Sequence, residues 1–180
     1  NKYLVGPTKM IEFGTKGRTL EMLAQKVSHA QILPVCIFTI KDWINKENSI
    51  TEKITNLLGA GPWIVRSSFS GEDNLENSNA GAFSSVLNVD SRQLEAAVKT
   101  VIASYNTDSE DEEILLQPML KNVELSGVAF SHDPNTGSPD RIINWSHGPD
   151  TQLVTSGRAG NVQQIAAGHQ KLIKGTMLEP

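Results

Sequence analysis

The sequence predicts an α+β fold in which helices come first and a mainly antiparallel sheet with few crossovers follows. Apolar residues recur at three- and four-residue steps in segments 14–27 and 92–105, which is the spacing of one helix face. Elsewhere, short runs of β-branched and aromatic residues end at turns that contain Gly, Pro, Asn or Asp, as strands commonly do. The two patterns together predict helices that flank a sheet.

Composition limits the class of protein. The 180 residues, of which 38% are hydrophobic, suffice for one compact domain or two small lobes with a core. The net charge is −4 and no long basic stripe occurs, so we expect no nucleic-acid partner. The longest apolar stretch, 31–40, is too short to span a bilayer and contains Pro34, so we expect no membrane association. The lone Cys36 fits a buried residue of a cytoplasmic protein, since one cysteine forms no internal disulfide.

The first half of the chain is predicted to hold most of the helices and one long polar connection. That connection, 67–85, is long for a compact domain, and such loops are commonly functional or disordered. Ser91 is the expected N-cap of the helix that follows, because its hydroxyl can accept a hydrogen bond from the first turn. In order, we predict a helix in 14–27, a strand in 34–40, a helix in 41–58 that breaks near Asn48, a strand in 63–67, a strand in 86–89 and a helix in 92–105.

The second half is predicted to consist mainly of strands. It opens with an acidic stretch, 106–113, which we interpret as a solvated turn. Strands are expected in 114–120, 124–131 and 141–145, and we expect these three to form an antiparallel meander. One further strand is predicted in 161–167.

A cation and a row of hydroxyls follow an apolar strand in the stretch "WIVRSSFSGED". The guanidinium of Arg66 suits phosphate oxygens because it presents a planar fork of donors, and Ser67 and Ser68 add hydroxyls. The alternative is an arginine paired with Glu72 or Asp73 across a turn. The segment alone leaves both interpretations open.

Three further features are compatible with a phosphate-bearing ligand, and each has a simpler explanation. Lys16 lies in "GTKG", where glycines permit close approach, but it also fits a surface lysine before a helix. Gly81 in "NAGAFSS" fits a loop over phosphates, or a turn that needs positive φ. Gln117 in "LLQPML" fits the recognition of an adenine edge, or a bond to a neighbouring backbone group. The four histidines show no metal-ligand spacing, so we predict no metal ligand.

The order of these motifs resembles a known family. The series "KGRTLEML", "ILPVCIFT", "IVRSSFSGEDNLENSNAGAFSSVLNV", "LLQPMLKNVELSGVAFSHDPNTG" and "VTSG" is similar to the N-terminal nucleotide-binding domain of phosphoenolpyruvate synthases and pyruvate phosphate dikinases. The resemblance covers roughly residues 14 to 160 and implies an ATP-grasp-like fold that is incomplete at its C-terminus. We therefore expect 1–180 to be a partial domain, with an N-terminal lobe in 1–105 that carries the phosphate loop and a second sheet lobe in 106–180.

The resemblance also implies roles for individual residues. Lys16 and Arg66 match the family cations that contact the nucleotide phosphates, and we expect both to assist transfer by neutralising charge. The turn at Asp133-Pro134, matching a family hairpin, is expected to be structural. The nucleotide-binding residues implied are Lys16, Arg66, Ser67, Ser68, Gly81, Ser85 (in place of a family threonine) and Gln117.

At the level of function, the resemblance implies a cytoplasmic ATP-dependent phosphotransferase. Phosphate would move from ATP through a phosphohistidine to a small acceptor, with Mg²⁺ as a second cofactor. The metal ligands, the phosphohistidine domain and the acceptor domain are expected beyond residue 180 of a longer chain. We therefore expect that the 180 residues alone cannot complete the reaction.

Several positions depart from the family pattern and keep alternatives open. The family has "RSSATAED" for "RSSFSGED", and a Gln-Gln pair where this chain has Ala82-Phe83. Its "GLGE" is replaced near Asp150. These differences suggest the subgroup of capsule gene clusters, which includes L-glutamine kinase. The alternatives are a nucleotide-binding or scaffolding module that has lost catalysis, and an interaction domain without a nucleotide site.

Overall fold

The structure, a computed structural model, describes residues 14–69, 73–74, 77–78, 84–105, 107–149 and 161–165. The chain divides into two compact units, Asn1–Met119 and Leu120–Pro180. In the described residues the fold is α+β, with antiparallel sheets and flanking helices, which confirms the predicted fold class.

The described elements of unit 1 match most of the predicted helices and strands. They are α1 (Lys16–Ala24), β1 (Cys36–Thr39), α2 (Ile40–Leu58), β2 (Trp63–Ser68), β3 (Asp73–Asn74), β4 (Asn77–Ser78), β5 (Ser85–Val89), α3 (Leu94–Ala103) and β6 (Glu113–Pro118). Four of the strands form one antiparallel sheet in the order β1-β6-β2-β5, and β3 pairs with β4 in a separate small hairpin.

The start and the bend of α2 follow from local backbone chemistry. Thr39 caps the helix, because its hydroxyl accepts a hydrogen bond from the Asp42 amide at 3.0 Å. At Lys46 the backbone leaves the helical conformation, with φ −142° and ψ 31°. This kink lies close to the break predicted near Asn48.

The predicted N-cap of α3 is wrong. A turn at 91–93 precedes the first helical residue, the N-cap is Gln93 without a side-chain capping bond, and Asp90 closes the turn. Its carboxylate accepts hydrogen bonds from the amides of Arg92 and Gln93 at 2.9 and 3.1 Å. The Arg92 guanidinium also bonds this carboxylate and lowers the pKa of Asp90.

The four-stranded sheet has two chemically different faces, since successive side chains along a strand point to opposite sides. On the first, the core face, Trp63 and Val65 of β2 are 0% exposed. They form one cluster with the apolar sides of α2 and α3, including Ile54 and Val98. Burial of these side chains is the main term that stabilises unit 1.

The opposite side, here termed the polar face, carries most of the charged and amide side chains of the sheet. Register places its members beside one another: Arg66 is the partner of Leu115 on β6 and of Ser85 on β5. The polar face consists of Ile37 and Thr39 of β1, Ile64, Arg66 and Ser68 of β2, Ser85 of β5, and Glu113, Leu115 and Gln117 of β6.

Unit 2 contains β7 (Leu125–Phe130), β8 (Arg141–His147) and β9 (Asn161–Ile165), which pair in that order as an antiparallel meander. The strands predicted in 124–131, 141–145 and 161–167 are therefore confirmed.

β6 does not belong to the meander, so the pairing predicted for 114–120 is wrong. It pairs with β1 on one side and β2 on the other. Its residues Ile114, Leu115 and Leu116 are all 0% exposed, as in a central strand buried on both faces. For the same reason the compact units divide after Met119, whereas the lobe boundary predicted from the sequence follows residue 105.

Substitution of Ile54 tests the packing of the core face. We expect Ile54→Ala to lower the free energy of unfolding by about 2–5 kcal/mol, because a 0% exposed side chain leaves a cavity. Leu57→Ala on the same helix is the control, with an expected change below about 0.5 kcal/mol, since Leu57 is 48% exposed. Urea unfolding measures both, and equal losses would contradict the assignment of the two sides of α2.

Candidate functional site

Helix α1 lies against the polar face. The Gly17 amide donates a hydrogen bond to Ser68 Oγ at 2.9 Å, which joins the first turn of α1 to the end of β2. A β-carbon at Gly17 would lie 2.8 Å from Cδ1 and 2.9 Å from Cγ1 of Ile37, so only glycine permits this approach. Lys16, the first residue of α1, is therefore held on the same face of the sheet as Arg66.

Glu113 makes the second attachment of α1. Its Oε2 accepts a hydrogen bond from the Thr15 hydroxyl at 2.6 Å, and its Oε1 accepts one from Arg18 Nε at 2.8 Å. The side chain of Glu113 is only 12% exposed. The hydrogen bond from Arg18 to Glu113 raises the pKa of the guanidinium, so Arg18 is charged throughout the physiological range.

Tyr105, just after α3, ties the ends of β2 and β6 together. Its hydroxyl donates to the Glu113 carbonyl oxygen at 2.5 Å and accepts from the Ser68 amide at 3.3 Å. Its ring stacks on Phe69 with the centroids 5.7 Å apart. The start of the polar connection after Ser68 is thus fixed at a defined point of the sheet.

Arg66 occupies the centre of the polar face, between Leu115 and Ser85 on the neighbouring strands. The side chain is half-buried, and its Nε atom is buried without a hydrogen-bond partner. No ion pair of Arg66 occurs among the side chains that the structure describes. The alternative pairing with Glu72 or Asp73 falls outside those side chains.

Gln117 is the neighbour of Arg66 on β6. It is the register partner of Ile64, two residues along β2 from Arg66, so the two polar side chains lie diagonally on one face. Gln117 is 9% exposed. Side chains at such diagonal positions are close enough to contact one bound molecule.

The structure brings together most of the residues predicted for the site. Arg66, Ser68, Ser85 and Gln117 lie on the polar face, and Lys16 begins the helix attached to it. Ser67 lies two residues after Val65 on β2, so its side chain belongs to the core face, where it is 2% exposed. Gly81 lies outside the described residues, as do Ala82 and Phe83.

Sequence reasoning missed Glu113, Thr15 and Tyr105. Glu113 was assigned to the solvated acidic turn in 106–113, although it begins β6. The sequence signal is the even spacing between Glu113 and Gln117, which places both side chains on the same side of an extended segment. The contacts with Thr15 and Tyr105 join residues far apart in the chain, and no local pattern marks them.

Neither a grouped set of metal ligands nor a membrane-spanning helix occurs in the described residues. They contain no group of three or more His, Cys, Asp or Glu side chains arranged to hold a metal ion. None of their helices combines the length and apolar character needed to cross a membrane.

Comparison with protein families identifies the domain. Residues 39–177, more than half of the chain, match the AMP/ATP-binding domain of pyruvate phosphate dikinase. The chain belongs to this family. The resemblance stated from the sequence is thus confirmed at the level of the dikinase family. A search of curated proteins found no match.

The dikinase match covers only part of the candidate site. Arg66, Ser85 and Gln117 lie within it, whereas α1 with Lys16 lies before its first residue. Membership in an AMP/ATP-binding family supports nucleotide binding within a phosphotransferase. The polar face fits that ligand class chemically, because the buried, unpartnered Arg66 Nε is a donor that an anionic oxygen would satisfy.

Gly17 tests the attachment of α1. Alanine normally stabilises a helix by about 1 kcal/mol relative to glycine. Here we expect Gly17→Ala to destabilise the protein by about 1–3 kcal/mol and to increase amide exchange in α1, because its β-carbon clashes with Ile37.

An Ile37→Ala background provides the control for that substitution. It removes both clashing carbons, so Gly17→Ala should become neutral or stabilising there. Gly17→Ala that stabilises the unmodified protein would contradict the close packing of α1 on β1.

Proposed function

We propose that the polar face binds the phosphates of ATP, in a cytoplasmic multidomain phosphotransferase of the dikinase family with an ATP-grasp-like fold. One observation carries the proposal: Arg66 is half-buried at the centre of this face with its Nε atom unpartnered. A buried guanidinium is costly unless an anion accompanies it, and a polyphosphate provides that anion.

Each residue of the face has a proposed role. Arg66 donates hydrogen bonds to phosphate oxygens, and Lys16 adds a second cation from the start of α1. Ser85, exposed beside Arg66, donates its hydroxyl to the same group. Gln117 bonds the adenine edge through its amide. Gly81 is proposed to let the loop approach the phosphates closely.

Ser67 and Ser68 have supporting roles in this proposal. Ser67 is buried in the core face, and the Ser68 oxygen accepts the Gly17 amide, so both shape the end of β2. Their contribution is to fix where the loop after β2 begins. This differs from direct contact between their hydroxyls and phosphate, which the sequence motif suggested.

When bound, ATP would supply the phosphoryl group that passes through a phosphohistidine to a small acceptor, and Mg²⁺ would neutralise part of the phosphate charge. The cations of this chain hold the polyphosphate and neutralise charge that develops as the phosphoryl group leaves. The acceptor is pyruvate-like, or an amide as in L-glutamine kinase. The second possibility is supported by "SNAGAFSSVLNV" and "DTQLVTSG", which are similar to the capsule-cluster subgroup.

A nucleotide-binding module without catalysis is the second candidate. The observation that favours it is Ala82-Phe83 in place of the Gln-Gln pair of the family, since amide donors over the phosphates are lost. Incubation of the full-length chain with ATP and Mg²⁺ separates the two candidates. Phosphohistidine formation supports the enzyme, and ATP binding without it supports the module.

Arg66→Ala tests the proposal directly. In the full-length chain we expect ATP affinity to fall by about tenfold to a hundredfold, because charge-assisted hydrogen bonds are lost. Arg92→Ala is the matched control, because the Arg92 side chain is 89% exposed and, among the described residues, its guanidinium bonds only its near neighbour Asp90. Calorimetry measures both, and an affinity unchanged by Arg66→Ala at intact stability would refute a phosphate site on this face.

Gln117→Leu tests adenine recognition. The substitution keeps the approximate volume but removes the amide, so we expect ATP affinity to fall about threefold to tenfold. GTP affinity should change less, which would reduce discrimination between the two nucleotides. Gln31→Leu, at an exposed position, is the control. Equal losses for ATP and GTP would assign Gln117 to a structural role.

A further inference from the structure

Glu113 places a carboxylate on the face that is proposed to bind a polyphosphate. The side chain is 12% exposed, and the register pairs Glu113 with Ser68. By Coulomb's law alone, a fixed negative charge on that face weakens the binding of an anion. Its presence therefore requires a compensating contribution.

That contribution is the attachment of α1. Both carboxylate oxygens of Glu113 accept hydrogen bonds from α1 and its cap, one from Thr15 Oγ1 at 2.6 Å and one from Arg18 Nε at 2.8 Å. The Gly17 amide is held by Ser68 at 2.9 Å. Thr15, Gly17 and Arg18 are thus bonded to the end of β2 or the start of β6, and Lys16 lies between them in the sequence.

The charges around Glu113 are arranged to limit the electrostatic cost. Arg18 lies against the carboxylate and also pairs with Glu21 at 3.1 Å, so its charge is committed to acids of the protein. The proposed function assigns the phosphate to two other cations, Lys16 and Arg66. Glu113 and Arg18 as a pair add no net formal charge while they fix the position of α1, and the third member, Glu21, is 43% exposed to solvent.

We propose that Glu113 is a positioning residue for nucleotide binding, a role that rests on the proposed function. It holds the first turn of α1 on the polar face and so keeps Lys16 on the same side of the sheet as Arg66, without contacting the nucleotide itself. The ligand whose binding it supports is a nucleoside triphosphate.

The direction in which ATP affinity changes on Glu113→Ala separates this role from a purely electrostatic one. If Glu113 acted only through its charge, Glu113→Ala would tighten ATP binding. If it positions Lys16, Glu113→Ala weakens ATP binding, and we expect a loss of about tenfold in the full-length chain by calorimetry. Glu110→Ala is the control, since it removes one exposed acidic charge from the same part of the chain.

A double-mutant cycle with Lys16→Met distinguishes positioning from general destabilisation. Because Glu113 acts through Lys16, Glu113→Ala should have little further effect on ATP affinity once Lys16 is Met. A loss of the same size in both backgrounds would overturn the proposal. Tighter ATP binding by Glu113→Ala would also overturn it.

Thr15→Val keeps the test available if Glu113→Ala does not fold. It changes no charge but removes one of the two bonds to Glu113, together with the capping bond from the Arg18 amide at 3.4 Å. The positioning role therefore predicts weaker ATP binding, whereas a purely electrostatic role predicts no change in affinity. Affinity unchanged by Thr15→Val would overturn the proposal. Arg66→Ala, measured in parallel, reports on the proposed function: if it leaves ATP affinity unchanged, the phosphate site itself is refuted, whatever Glu113 does.

Discussion

The polar face is organised around the partly buried guanidinium of Arg66. It is half-buried in the middle of a sheet, with Leu115 and Ser85 as neighbours and with its Nε atom unpartnered. Withdrawing a cation from water costs several kcal/mol if nothing replaces its hydration. A protein that tolerates this arrangement gains when an anion binds there, and membership in an AMP/ATP-binding family is consistent with that anion being a polyphosphate.

The two faces of one sheet separate stability from binding. Trp63 and Val65 direct their side chains to the core that α2 and α3 complete, while Arg66, the residue after Val65, projects to the other side. Stability of the sheet therefore depends on residues that do not contact the proposed ligand. This separation explains how a costly polar face persists, because the burial of the core face offsets it.

Much of the fold was predictable from the sequence, because its signals are local. The spacing of apolar residues indicated α1 and α3, the helix in 41–58 was predicted as well, and the β-branched runs indicated the strands around Arg66 and Gln117. The motif order also identified the family correctly. The strand pairing of β6 was predicted wrongly. β6 pairs with strands that occur much earlier in the chain, and a run of buried residues does not indicate which strands are its neighbours.

The site was predictable only in part, for the same reason. Arg66 and Gln117 follow from motifs. The side of the sheet that Ser67 faces follows instead from its even spacing from the buried Trp63 on the same strand. Glu113 resembles its acidic neighbours in composition, and its even spacing from Gln117 indicates only which side of a strand it faces. The tertiary contact with Thr15 reveals its role. Side chains whose role depends on long-range contacts carry no signature in the local sequence.

The most direct test is the nitrogen-15 resonance of the Arg66 Nε–H group in the full-length chain during addition of ATP. The account predicts that this resonance shifts and that its proton exchanges more slowly with water, because a phosphate oxygen accepts the bond. The Arg92 resonance, from a guanidinium bonded to Asp90, should remain unchanged. An Arg66 resonance that does not respond at saturating ATP would contradict the central claim.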